Sequence, residues 1–96
     1  MVKLVSEVEL EKKAGSIRRS IISMIHAAGS GHTGGSLGMA DVFTALYFRV
    51  LKNIHTKIDD RDRFILSNGH ICPVWYAALA EEGFFKKEEL MTLRKI

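Results

Sequence analysis

Between Ser6 and Ala28 the apolar residues Leu10, Ala14, Ile17, Ile21, Met24, Ile25 and Ala28 recur three or four positions apart, the spacing of one face of an α-helix. The pattern predicts a first helix over 6–28. Ser6, with Glu9 three residues on, makes a capping box, and Glu7, Glu9 and Glu11 precede Lys12, Lys13, Arg18 and Arg19 as the helix dipole favours. Gly29 is placed to end it. The same spacing returns in Met39, Val42, Phe43, Leu46, Val50 and Leu51 and predicts a second helix over 37–51, which leaves 29–36 as a glycine-rich loop between the two.

The polar stretch "KNIHTKIDDRD" has no period and reads as a surface connection in which Asp59, Asp60 and Asp62 can pair with Arg61 or Arg63. "RFILS", Arg63 to Ser67, is a short apolar run bounded by charge and by "NG", as expected of a buried parallel strand over 63–67. Beyond it, Val74, Ala77, Ala78 and Leu79 predict a helix over 71–82, with Pro73 tolerated in its first turn. Leu90, Met91 and Leu93 predict a last helix over 87–96, which stops at "LRKI" without a cap. Four helices and one strand leave two architectures: a small helical domain, or the mostly helical first part of an α/β layer structure whose other strands lie elsewhere. "RFILS" suits the second.

Composition sharpens this picture only at a few points. The 96 residues are 47% hydrophobic and 26% charged, the balance of a folded domain. No apolar run reaches a membrane span, and "MVKLVSEVELEKK" turns charged before a signal-peptide core forms; the expectation is a cytoplasmic chain without a membrane partner. The net charge of +3 comes from interleaved charges without a single-sign block, which argues against nucleic acid as a partner. The single cysteine, Cys72, has no second thiol for a disulfide, a redox pair or a thiolate metal site, and reads as a small buried residue.

Candidate chemistry concentrates in "GSGHTGGSLG", Gly29 to Gly38. "GSGHTG" matches the G-x-G-x-x-G dinucleotide pattern, but that motif works after a strand, and here a helix precedes it. What remains is a glycine-rich loop opening a helix, a place where backbone N–H groups suit an anion or a polar oxygen. Of the four histidines, His26 reads as partly buried on the first helix and His55 as exposed in the connection. His32 and His70 each follow a glycine and each precede a helix, positions where an imidazole can exchange a proton near neutral pH. Neither zinc-ligand spacing nor a G-x-S-x-G serine elbow is present.

Taken together, "AAGSGHTGGSLGMADVFTALYFRVL", "DRDRFILSNGHICPVWYAALAEEGFF" and "EELMTLRKI" resemble the start of transketolases, most closely the N-terminal subunit of the split bacterial and archaeal type, over Ile17 to Ile96. Deoxyxylulose phosphate synthases open similarly, but their second motif reads D-x-G-H where this chain has "SNGH". Thr33 departs from the family, which commonly has proline there; losing a fixed φ loosens the loop without removing the imidazole. The resemblance implies part of a thiamine-diphosphate-binding, three-layer αβα domain spanning 1–96. It implies ketol transfer from a ketose phosphate to an aldose phosphate, in the pentose phosphate pathway, with thiamine diphosphate and Mg²⁺ or Ca²⁺. By the same carry-over His32 and Ser36 bind substrate, His32 and His70 assist catalysis, and Gly69 and His70 hold the cofactor.

The family's metal and diphosphate motif, Gly-Asp-Gly followed by Asn, is not among these residues, so the metal ligands are expected outside the chain. The resemblance therefore implies sugar phosphates, a C-terminal transketolase subunit or a missing remainder, and a second copy of the chain as partners, and a truncated chain inactive by itself. The alternative is a non-catalytic helical interaction module derived from the family.

Overall fold

The structure, a computed structural model, describes residues 5–29, 31, 33–55 and 61–93. Helix α1 runs Glu7–Ala28. Its start carries the serine half of the expected box: Ser6 Oγ accepts the Glu9 N–H at 3.2 Å. Gly29 closes it at φ 72°, donating its N–H toward the carbonyls of Ile25 and His26. The buried side is Ala14, Ile17, Ile21, Met24 and Ile25, the predicted stripe. His26, by contrast, is exposed in the last turn rather than partly buried, because it stands off that stripe.

The expected helix over 37–51 is three shorter pieces. α2 spans Thr33–Gly38, starting inside the segment read as loop; α3 spans Ala40–Ala45; and a single π-helical turn covers Leu46–Val50. Met39 separates the first two with φ −96° and ψ 1°, outside helical values. The π turn, closed by the Leu51 N–H donating to the Leu46 carbonyl at 2.8 Å, inserts one extra residue per turn. Within it Tyr47 is buried and Phe48, half-buried, lies under the Lys13 ammonium. Periodicity alone cannot show such breaks: of the predicted stripe Phe43 is buried, whereas Val42 and Val50 are exposed.

A 3₁₀ turn, Gly69–Ile71, leads into α4, Cys72–Glu81, close to the predicted helix, with Pro73 in its first turn. The last helix is corrected: it is a 3₁₀ segment, Lys87–Thr92, and 94–96 lie outside the described residues. Only Leu90 of its apolar residues is fully inserted in the core.

The segment Arg63–Ser67 forms no strand; among the described residues there is no β-ladder. A strand needs a neighbour's backbone to pair with, and none is supplied here. The alternation of a strand survives nonetheless. Phe64 and Leu66 pack against the core, whereas Arg63, Ile65 and Ser67 point outward, Ile65 being 87% exposed. Phe64 sits edge-on to Phe43, Tyr47 and Trp75 at centroid distances of 5.2, 6.2 and 5.7 Å. Trp75 Nε1 donates to the Tyr47 hydroxyl at 2.6 Å; burial raises that phenol's pKa, and the hydrogen bond partly offsets the rise. The described residues thus form a helical layer with one extended segment laid across it, covered on one face only.

Two polar clasps tie the layer. Asp62 takes the Lys52 N–H on Oδ2 at 2.8 Å and returns its own N–H to the Lys52 carbonyl at 2.9 Å; Asp59 and Asp60 lie outside the described residues. Glu81 at the end of α4 accepts from Ser16 Oγ at 2.6 Å and from Lys87 Nζ at 2.9 Å, joining α4 to α1 and to the last 3₁₀ segment. Burial pushes the Glu81 carboxyl up, but the hydrogen bonds from Ser16 and Lys87 and the charges of Lys87 and Lys13 outweigh it, leaving its pKa below the ordinary value.

A depressed carboxyl stabilises the fold above its ordinary pKa and loses that contribution as pH falls through the folded value. Urea unfolding between pH 7 and pH 3 should therefore show Glu81→Gln with a flatter profile than the parent and about 1–2 kcal/mol less stable at pH 7; superimposable profiles would contradict the clasp. The same unfolding measurement should find Phe43→Ala destabilised by about 3–5 kcal/mol and Ile65→Lys changed by no more than about 0.5 kcal/mol.

Candidate functional site

Two separated motifs meet on this layer. α2 follows directly on His32 in sequence, and the Gly69–Ile71 turn carries His70. Their contact is through Gly35 and Ile71: a Cβ built on Gly35 would lie 2.7 Å from the Cγ2 methyl of Ile71, well inside ordinary carbon–carbon contact. Only hydrogen at Gly35 permits this approach. Next to it Ser36 is fully buried, and its Oγ has no hydrogen-bond partner among the described residues. A helical serine ordinarily bonds the carbonyl four residues back, which here belongs to His32.

On the other side of the contact, Asn68 shapes the turn. Its side-chain oxygen accepts the His70 N–H at 3.2 Å, and its carbonyl accepts the Ile71 N–H at 3.2 Å, an Asx turn that favours asparagine. Gly69 and His70 are both exposed, and a side chain at Gly69 would meet nothing within 4 Å. The open space beside Gly69 and the exposure of His70 leave this turn accessible.

The candidate residues are therefore distributed unequally. Gly69 and His70 stand together on the accessible turn, Ser36 lies buried beneath α2, and His32 lies outside the described residues. Ser36 Oγ has no accessible surface and lies between α2 and the core. Cys72 is only partly buried and faces a groove of about 480 Å³ with Met24, Tyr76, Phe85 and Leu90, a groove to which neither His70 nor Ser36 contributes. His55 is exposed but engaged, stacked on Phe84 at 4.4 Å and bonded through Nε2 to Glu82 Oε1 at 2.9 Å.

Sequence reasoning missed Asn68 and the Gly35–Ile71 contact. The first carried a readable signal, an asparagine two residues before the amide it caps; the second joins positions 36 apart and carried none.

Among the described residues no three His, Cys, Asp or Glu side chains gather to hold a metal ion, so the donor set for a divalent cation is not found there. The open turn of Gly69 and His70 does fit one side of a phosphate-bearing cofactor: it offers an imidazole and an uncrowded backbone without filling the space.

Comparison with known proteins gives the chain its class, a thiamine-diphosphate-binding domain. The sequence profile of the transketolase thiamine diphosphate binding domain matches residues 10–96, and the chain belongs to the transketolase family. It is 43% identical over 91 residues to the 6-deoxy-6-sulfo-D-fructose transketolase subunit SqwG of a Clostridium species, covering 93% of this chain and 33% of that one. To an apulose-4-phosphate transketolase subunit of Actinobacillus succinogenes it is 41% identical over 87 residues, covering 88% and 32%. To the transketolase of Mus musculus it is 39% identical over 89 residues, covering 91% and 14%. The chain thus spans about a third of the subunit relatives and less of the longer enzyme.

Removing the Asn68 cap should loosen the turn. Asn68→Ala is expected to cost about 1 kcal/mol and to speed hydrogen exchange at the His70 amide, whereas Asn68→Asp should retain protection; an unchanged His70 exchange rate in Asn68→Ala would refute the assignment.

Proposed function

We propose that this chain supplies one wall of a transketolase active site, within an enzyme that moves a two-carbon ketol unit from a ketose phosphate to an aldose phosphate. The observation that supports it is the junction of the two family motifs: Gly35 packs on Ile71, and beside Ile71 the turn is exposed at Gly69 and His70, with open space at Gly69. Thiamine diphosphate, when bound, supplies the carbanion chemistry. His70 offers its imidazole to a phosphate or hydroxyl oxygen and can hold or pass a proton there, while Gly69 lets the group approach the backbone. His32 is proposed as the second imidazole, engaging the hydroxyls of the donor sugar.

The remaining expectations follow as parts of this reading. The bare face of Ile65 and the ladder-free backbone of Arg63–Ser67 fit a strand that pairs with further strands, completing a three-layer αβα domain in the remainder of a longer enzyme. Mg²⁺ or Ca²⁺, a C-terminal subunit, a second copy and a cytoplasmic setting complete the proposal. By itself the chain is proposed to be inactive, since the described residues gather no metal donors. The exposed apolar face also suits a second reading, a helical interaction module without chemistry.

A chimera separates the two. Residues 10–96 would replace the aligned third of the Clostridium subunit, with the rest of that enzyme present. Ketol transfer is expected, and His70→Ala in the chimera should lower kcat/KM about a hundredfold or more. A folded chimera without affinity for thiamine diphosphate would overturn the enzymatic reading and favour the interaction module. The 96-residue chain alone, given cofactor, Mg²⁺ and a ketose phosphate, should show no transfer.

A further inference from the structure

We propose that Gly35 and Ile71 are a size-matched positioning pair that sets where the His70 turn stands against α2. The inference deepens the reading above, because it names the residues that fix the geometry of that wall. Ile71 is turned away from solvent, being 8% exposed, and it acts on the site through its neighbour His70.

The argument is steric. The Cγ2 methyl of an isoleucine is attached directly to Cβ, so it moves only by a χ1 rotation, which β-branching restricts, or by moving the backbone. The backbone at Ile71 is held on both sides: its N–H donates to the Asn68 carbonyl, and the Cys72 N–H donates to the Gly69 carbonyl. A methyl added at Gly35 would sit 2.7 Å from Cγ2, about 1 Å inside a favourable carbon–carbon separation. That excess has to be relieved by parting α2 from the turn. A displacement of about 1 Å at a reacting group costs on the order of a hundredfold in rate, so a residue that never touches a ligand can govern the site.

Another glycine of the same helix, Gly38, isolates this effect. It too lies in α2 with no φ in the left-handed region, but a Cβ there would meet nothing within 4 Å. Its substitution adds the same methyl group to the same helix without the contact.

Four variants of the full chain test the pair, read by the NMR signals of the His70 ring, and the same substitutions in the chimera are read by titration with thiamine diphosphate and Mg²⁺. Gly35→Ala is expected to shift the His70 ring signals and weaken cofactor binding about tenfold or more, and Gly38→Ala to leave both unchanged. Gly35→Ala combined with Ile71→Ala is expected to restore the signals and the affinity, because the smaller side chain accepts the new methyl. Gly35→Ala combined with Val74→Ala, a truncation elsewhere in the core, should not restore them.

If Gly35→Ala does not fold, recovery of folding by Ile71→Ala alone of the two truncations supports the pair. Unmoved His70 signals in Gly35→Ala, or failure of Ile71→Ala to rescue, overturns it. Absence of cofactor binding by the parent chimera would count against the enzymatic reading, while the ring signals still decide the pair.

Discussion

The close packing of α1 on α4 is the contact on which the rest of the structure is assembled. Ile17, Ile21 and Met24 of α1 and Val74, Ala77 and Ala78 of α4 are buried together in one core. The alanines keep the α4 surface low, so that the larger α1 side chains can enter it, and burying each of those contributes about 1.5–3 kcal/mol. α2, α3 and the final 3₁₀ segment all pack on α1. Both motif segments consequently stand on a single scaffold, α2 against α1 and the His70 turn at the entrance to α4.

That scaffold is one-sided, and its one-sidedness explains what local pattern could and could not show. The capping box at Ser6, the glycine stop at Gly29 and the stripe from Ala14 to Ile25 depend on neighbours within a turn or two, and they were legible in the sequence. The interruption at Met39 and the π turn that buries Tyr47 were not, because tertiary packing re-aimed residues whose spacing still looked continuous. "RFILS" read as a buried strand, yet only Phe64 and Leu66 turn inward and Ile65 is exposed, because a short apolar run does not say which face is covered. Whether a strand exists depends on a partner's hydrogen bonds, and the described residues contain none for it.

The site was legible to a different degree. His70 and Gly69 stand exposed where the transition from "RFILS" to a helix placed them, whereas Ser36, sharing the glycine segment, is turned into the core. The glycines of that segment also divide by cause. Gly29 answers a backbone demand at the end of α1, and Gly35 answers a contact with a side chain far along the chain. The composition of "GSGHTGGSLG" therefore announces a special segment without saying which glycine does what.

Native-state hydrogen exchange of the chain measures the scaffold most directly. The account predicts that the amides from Ile21 to Ile25 in α1 and from Ala77 to Ala80 in α4 are the slowest and share one opening free energy, while those of Phe64, Ile65 and Leu66 exchange with little protection. Separate opening of α1 and α4, or ladder-like protection across Phe64 to Leu66, would contradict it.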